Sequence, residues 1–449
     1  IAKFLGPHLY GVWSFLTLVQ QYLGYTGLGL NFAANVELST GLAPDASERR
    51  EVINSSFTFT VLISLAMCLM VLLMQYLQVP WLAHYPGNEF LFPVVVIAAL
   101  TNVQQLLINV YRCYGKMGKI VFSELSLAIL TVLILFFFKD QALISASIGA
   151  MIVALCINMT LFLYRPPFTL GLSIKSAVLK RLLNIGIPLL VYNFSFILIT
   201  MIGRTIVGMY YPIESMGFYS FANVMSGTAM LAVESVAWIT FPTILSRIHE
   251  GVDNVTATLT LTKIQELYTT SVFITVFLII LCLPVLFHFL PSYQKAQKTL
   301  NILLLAQALM SLSFGYNCLS IARKKQVAIS AISLTSVLAI SSFSLVVSNL
   351  GLDIKFIAVS VLVGTLIFNL LQGTFGYYLL NHVWQFNLRR IFPVYSMAAV
   401  FLFLLGNLWG YPALLYSLGV SIFVIGNLQQ LKRFYKYCAA RWPYPLRYN

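Results

Sequence analysis

The strongest constraint on this chain is the near-absence of stretches that water could hydrate. Thirteen segments are long and apolar enough to cross a hydrocarbon layer: approximately 12–30, 54–77, 90–111, 120–138, 142–164, 185–209, 217–241, 266–290, 299–320, 327–348, 356–380, 391–409 and 412–431. A helix needs about 20 such residues to span about 30 Å. The longest connectors, 31–53, 165–184 and 242–265, are too short to form a separate soluble domain. Only 9% of the residues are charged, against 59% hydrophobic, whereas a soluble domain carries roughly a quarter charged residues. These facts exclude a soluble enzyme, a disordered scaffold, a secreted disulfide scaffold and a DNA-binding protein, and predict an all-α polytopic membrane protein.

The net charge of +14 suggests nucleic acid until its placement is read. On one side of the alternating connectors fall Arg49, Arg50, Arg112, Lys116, Lys119, Arg165, Lys175, Lys180, Arg181, Arg247, Lys263, Arg323, Lys324, Lys325, Arg389, Arg390 and the basic tail. On the other are Lys3, Lys139, Lys295, Lys298 and Lys355. Basic loops resist translocation, so the crowded side is cytoplasmic, and no nucleic-acid partner is expected. An odd number of spans with the C-terminus inside puts Ile1 outside. Ile1–Leu5 then reads as the end of an earlier helix, which predicts fourteen spans and two cytoplasmic termini in the natural protein. The six cysteines show no CxxC or ligand spacing and no two histidines share a helical face, so neither a metal nor a cofactor is expected.

Two segments repeat. Gly11-Val12-Trp13-Ser14-Phe15 and Gly217-Phe218-Tyr219-Ser220-Phe221 each follow a short outer turn and lead into an inward-running helix. A six-helix unit used twice would place them there, as in transporters with parallel repeats.

These residues also carry a family resemblance. Ala2-Lys3-Phe4-Leu5-Gly6-Pro7-His8-Leu9-Tyr10-Gly11 resembles the "aRyLGpeeyG" segment of Wzx-type polysaccharide flippases, in the multidrug/oligosaccharidyl-lipid/polysaccharide (MOP) exporter superfamily. Gly203-Arg204-Thr205-Ile206-Val207-Gly208, with Glu214 to Ser220, is similar to that family's "DRiiig…eemGiYs". Phe241-Pro242-Thr243-Ile244-Leu245-Ser246 is similar to its "fP.ls" exit from a later helix. Gly203 stands where relatives usually have Asp, so Arg204 lacks that neighbouring carboxylate. The resemblance implies two six-helix lobes around a central cavity, with two further helices at the C-terminus. The division expected here is 1–164 for the first lobe, 165–184 for a cytoplasmic linker, 185–380 for the second lobe and 381–449 for the remainder. It also implies the bacterial cytoplasmic membrane, undecaprenyl-pyrophosphate-linked oligosaccharide as cargo, and work alongside a polysaccharide polymerase and chain-length machinery.

Polar residues inside spans avoid lipid and face protein or water. At helical spacing they form stripes: Thr17, Gln20, Gly24, Gly27 and Asn31; Asn102, Gln105, Asn109 and Arg112; Asn193, Thr200 and Arg204; Ser220, Asn223, Gly227 and Glu234; Gln307, Ser311 and Cys318; Thr365, Asn369, Gln372 and Gly376. Each stripe has two readings, adhesion between helices or the wall of a shared polar cavity; their presence in both halves favours the cavity.

Arg204 sits about five residues, roughly 8 Å, below the outer end of its helix. It either snorkels to the interface or faces a pyrophosphate, which a guanidinium binds through paired hydrogen bonds. Lys3 is an interfacial lysine or a second charge for the same anion. Arg112 is an orientation signal or a receiver of the head group at the inner mouth. Glu234 lies about eight residues from the inner end of its helix, on the order of 15 Å in depth from Arg204, so a direct pair between them is not expected. It is either a protonated interface residue or the binder of a coupling ion, H⁺ or Na⁺. Glu37 and Glu124, near the inner ends of their helices, read as interfacial.

The leading function is therefore a flippase working by alternating access. A cation-drug antiporter of the same superfamily would want an acidic cavity. A membrane polymerase or glycosyltransferase would need a large catalytic outer loop, and the longest here, 78–89, holds Glu89 as its only carboxylate.

Overall fold

The computed structural model describes residues 1–39, 45–78, 87–248 and 253–382, together with 398, 401–403, 405, 406, 412–428, 431 and 432. The expected span 391–409, the cations Arg389 and Arg390 and the basic tail beyond Lys432 lie outside the described residues or nearly so. Every regular element among the described residues is helical. In chain order these are α1 (Ala2–Leu23), α2 (Leu30–Ser39), α3 (Ala46–Tyr76), α4 (Leu91–Cys113), α5 (Met117–Phe137), α6 (Asp140–Leu163), α7 (Ser176–Tyr210), α8 (Ile213–Ile248), α9 (Asn254–Phe289), α10 (Gln297–Leu312), α11 (Phe314–Ala322), α12 (Gln326–Asn349), α13 (Ile354–Asn381) and α14 (Pro412–Gly426).

Nine helical segments among the described residues have the length and apolarity to cross a membrane. The expected first span, 12–30, is divided: α1 stops at Leu23 and α2 starts at Leu30. The expected last span contributes α14, whose 15 residues are shorter than a full crossing. At the start, Gly6 (φ 66°, ψ 172°) separates Ala2–Leu5 from the rest of α1, which agrees with reading those residues apart from the helix after Pro7.

The chain divides into two compact units, Ile1–Phe218 and Tyr219–Asn449. The first unit is organised on α4, which contacts α1, α2, α3 and α6. Its most apolar window is 67% buried, against 6% for α5. One therefore lies at the centre and the other presents Val121, Leu125, Ile129, Val132 and Phe136 outward, as a lipid-facing helix must. Tyr111 packs its ring on Phe162 and Phe168. Lys119 Nζ donates to the carbonyls of Leu161 (2.9 Å) and Tyr164 (2.7 Å), meeting the acceptors left open where α6 ends.

The expected lobe division and the two compact units part at α7. The division 165–184 places α7 in the second lobe, yet α7 packs on α2 and α3 and stays in the first unit. The reason lies in the connector, which is strapped to α3. Asn54 Oδ1 accepts from Gly171 N–H (2.9 Å), Ser55 Oγ from Lys175 N–H (3.2 Å) and Thr58 Oγ1 from Ser173 N–H (3.1 Å). Glu51 pairs with Lys175. Positions 51, 54, 55 and 58 share one helical face, while 171, 173 and 175 are alternate residues of an extended chain.

In the second unit α13 packs along α10, α11 and α12, and the segment Pro291–Ala322 is the most buried of the candidate spans, at 72%. Phe221 stacks on Tyr293, with ring centroids 4.3 Å apart. α14 is held by the Tyr416 hydroxyl, which donates to Phe277 O at 2.7 Å, and by the Phe277–Phe423 contact.

Candidate functional site

Several polar residues expected to line a cavity are used to hold broken helices. In the first unit the interruption over 24–29 contains Leu28 and Gly29 in the left-handed region (φ 51° and 74°). Asn102 Nδ2 donates to Leu23 O and to Thr26 Oγ1, both at 3.2 Å, and Asn109 Nδ2 donates to Asn31 O at 3.2 Å. In the second unit the interruption between α10 and α11 falls at Ser313. There Asn369 Nδ2 reaches Leu309 O (2.7 Å), Gln372 Nε2 reaches Tyr316 O (3.2 Å) and Ser320 Oγ (3.0 Å), and Gln265 Nε2 reaches Leu312 O (3.2 Å). Asn369 and Gln372 are 3% and 0% exposed, so neither forms cavity wall in this structure. The chemistry explains the choice of side chain: carbonyls freed by a break in an apolar layer need donors, and amides supply them.

The remaining expected site residues are more open. Gln105, Arg112 and Lys3 are exposed, and Gln20, Asn193, Asn223 and Gln307 are half-buried. Asn193 donates to Leu189 O within its own helix. They are distributed over α1, α4, α7, α8 and α10, and the structure gathers no two of them through a direct side-chain bond described here.

Arg204 is different. It is 5% exposed, and its guanidinium is turned toward protein. Its guanidinium crosses from α7 to α1: Nη2 donates to Ser14 O (2.9 Å) and Thr17 Oγ1 (3.4 Å), and Nη1 donates to Gln21 Oε1 (3.2 Å). One residue further on, the Tyr22 and Thr205 hydroxyls share a hydrogen bond of 2.6 Å, a second link between the two helices beside the cation. Gln21 and Tyr22 were missed in the stripe analysis, which took Gln20; at a Gln-Gln pair the spacing alone does not say which side chain faces α7.

The repeated motif also acquires a physical meaning. A Cβ on Gly11 would lie 2.0 Å from Ile213 O, and one on Gly217 would lie 1.9 Å from Pro7 O. Each glycine nitrogen is 3.1 Å from the Cβ position of the other. The equivalent glycines of the two repeats thus meet where α1 passes the start of α8, and only residues without a side chain permit that approach.

A second charged contact had no sequence signal. Glu37, expected at an interface, is fully buried, and its two oxygens accept from Arg181 Nε and Nη2, both at 2.9 Å. The pair joins α2 to α7. Nearby, a Cβ on Gly29 would fall 2.1 Å from Gly186 O, so the break in the first unit touches α7 backbone to backbone.

In the second unit Glu234 is half-buried on α8. It lies within electrostatic reach of Tyr268 of α9, which is hydrogen-bonded to Ser311 of α10 and stacks on Phe314 with centroids 5.1 Å apart. Among the described residues no His, Cys, Asp and Glu side chains cluster in a metal-binding group.

A family model described as a polysaccharide biosynthesis protein matches residues 1–286. No curated protein matches. Among solved structures, an inward-facing multidrug-resistance MATE transporter of the MOP superfamily has a TM-score of 0.68 at 14% identity, over 85% of this chain and 92% of its own. The lipid II flippase MurJ in an inward closed conformation has a TM-score of 0.64 at 15% identity, over 96% of this chain and 98% of its own. A MOP transporter from Pyrococcus furiosus, reported with reverse polarity of its binding pocket, has a TM-score of 0.56 at 13% identity, over 83% and 88%. These solved structures are transporters and a flippase, and at such identities the likeness is one of fold. With the family match over residues 1–286, the chain belongs to the polysaccharide biosynthesis protein family; it is a multi-pass helical membrane protein whose fold is similar to that of these MOP-superfamily structures.

Proposed function

We propose that this protein flips a lipid-linked oligosaccharide diphosphate, with undecaprenyl as the lipid, from the cytoplasmic to the outer leaflet of a bacterial inner membrane. The observation that carries the reading is Arg204, a guanidinium within an apolar helix, 5% exposed and held from the neighbouring helix. A cation is costly to keep at such a position, and a diphosphate is a ligand that repays it through charge-assisted hydrogen bonds. The glycan itself needs a hydrated route, because bare polar groups cost several kcal/mol each to move into hydrocarbon. Gln20, Gln105, Asn193, Asn223 and Gln307 are candidates for its wall, since their side chains are not fully buried. Lys3 and Arg112, both exposed, are candidates for meeting the head group at either end of the route.

Glu234 supports coupling to an H⁺ or Na⁺ gradient, and it is also the feature that favours the second reading, a cation-drug antiporter. The fold is compatible with both, since MATE transporters and MurJ share it. The experiment is transport of undecaprenyl-pyrophosphate-linked oligosaccharide in proteoliposomes under an imposed ion gradient. Arg204→Ala is expected to lower flipping at least tenfold, and Glu234→Gln to abolish the response to the gradient. Full flipping by Arg204→Ala would remove the anion site. A response retained by Glu234→Gln would remove the coupling role, and transport of lipophilic cations alone would establish the second reading.

A further inference from the structure

We infer that the turn from Arg323 to Lys325 binds the phosphate of an anionic phospholipid, a role independent of the Arg204 reading. The turn joins α11 to α12, and its topological counterpart in the first repeat joins α4 to α5. Both are closed by the same backbone bonds. In the first, Lys116 N–H donates to Tyr111 O (3.1 Å) and Gly115 N–H to Arg112 O (3.0 Å). In the second, Lys325 N–H donates to Ser320 O (2.8 Å) and Lys324 N–H to Ile321 O (3.0 Å). The left-handed position is filled by Gly115 (φ 67°) in one and by Lys324 (φ 54°) in the other. Glycine adopts that conformation freely, whereas lysine adopts it against a steric penalty. An orientation signal needs positive charge near a span, not at one particular backbone position, so topology alone does not account for a lysine here.

The charge of this turn is not neutralised by the described protein. Among the described residues the ion pairs are Glu51–Lys175 and Glu37–Arg181, so none of the three cations pairs with a carboxylate. Lys324 and Lys325 are exposed. Arg323 is fixed to the start of α9 by Nη2, which donates to Asn254 Oδ1 at 3.1 Å, while its Nε is covered and has no acceptor. The carboxylate beside that asparagine, Asp253, is engaged as the cap of α9, accepting from Thr256 N–H at 3.3 Å. Charged phosphate oxygens are the acceptors that suit such donors best. What adjoins the turn decides which phosphate. Val327, Ala331, Leu334 and Leu338 follow on α12 at helical spacing and are all exposed, so an apolar stripe runs from the cations into the hydrocarbon layer. A head group on the turn with acyl chains along that stripe is the arrangement of a phospholipid, and basic sites at a membrane surface select anionic head groups.

The test is native mass spectrometry of the purified full chain in detergent, titrated with dioleoylphosphatidylglycerol. Dioleoylphosphatidylcholine is the zwitterionic control and glycerol phosphate the control without acyl chains. Lys324→Gly and Lys325→Gln are each expected to weaken phosphatidylglycerol binding about fivefold, the contribution of one basic side chain at an anionic surface. Lys324→Gly is also expected to leave the thermal midpoint without lipid equal to the parent's or higher, because glycine suits the left-handed position. Those two outcomes together separate a lysine kept for a ligand from one kept for the fold. Lys298→Gln, in the first turn of α10, removes the same charge elsewhere and is expected to bind as the parent does. Parent-like binding by Lys324→Gly overturns the inference, and so does a lowered midpoint or failure to fold in that variant. An equal loss in Lys298→Gln would reduce the effect to net charge. Equal binding of phosphatidylcholine would remove the anion requirement, and displacement of phosphatidylglycerol by equimolar glycerol phosphate would overturn the lipid in favour of a free phosphate.

Discussion

Both units interrupt a helix inside the apolar layer, and they stabilise the interruption with the same kind of side chain by different architectures. In the first unit the break runs over 24–29 and carries two left-handed residues. Asn102 and Asn109 hold it from α4, one on either side. In the second unit the chain turns from α10 into α11 at Ser313, whose backbone stays helical (φ −71°, ψ −9°). Asn369, Gln372 and Gln265 close around that single residue from two helices. The comparison teaches that the amide stripes of α4 and α13 mark where a neighbouring helix breaks. It also separates a hinge-like break, resting on backbone contact with α7 and on a charged pair, from a tight kink enclosed in neutral side chains.

The largest expected effect comes from closing the contact on which the first break rests. Gly29→Ala adds a Cβ 2.1 Å from Gly186 O at a φ of +74°, and neither backbone can give way locally. Left-handed strain of roughly 1–2 kcal/mol adds to an overpacking cost of about 1–3 kcal/mol. The thermal midpoint in detergent is expected to fall sharply, and an unchanged midpoint would mean that the break does not rest on α7 in this way.

Next is the ion pair that joins α2 to α7, where the two partners are unequal. Glu37 is fully buried, whereas the Arg181 side chain is 46% exposed. Arg181→Ala leaves the buried carboxylate without this partner; because the Arg181 side of the pair is open to water, the loss is expected to fall below the about 3–5 kcal/mol of a fully buried pair. Glu37→Gln leaves a cation that can turn to water, so its loss is expected to be the smaller. Chemical unfolding of both variants checks the order, and equal losses would contradict it.

The smallest effects sharpen the comparison itself. Asn102→Leu and Asn369→Leu each remove donors from carbonyls at a break, worth about 1–2 kcal/mol. Hydrogen exchange is expected to rise around 23–31 in the first variant and around 309–316 in the second, with the other unit unaffected. If both variants loosen the whole chain, the breaks are not local devices.

Much of the fold was legible because membrane insertion is a local property of the chain. Apolar length sets where helices cross, and the basic residues between them set the orientation expected from the sequence. What escaped was set by partners far away in sequence. The segment 12–30 reads as one span because hydropathy does not register a freed carbonyl; Asn102 and Asn109 make the break tolerable. Asn369 and Gln372 look like cavity residues by spacing, yet spacing cannot tell a donor facing water from one facing a neighbouring backbone. Arg204 stood out because a charge in a span always needs a reason. Gln21 did not, because its adjacent twin Gln20 fits the stripe equally well.

The sequence by itself determined that this chain is a helical membrane protein, where its long apolar runs lie, and to which family its motifs belong. Only the tertiary structure decided which polar groups are spent on holding the helices and which remain open to a ligand. It showed the repeated glycines meeting each other, α7 bound to the first unit, and Glu37 paired with Arg181. The division follows from range: transfer of a segment into an apolar layer depends on its own residues, whereas a hydrogen bond or ion pair inside that layer depends on what another helix brings to it.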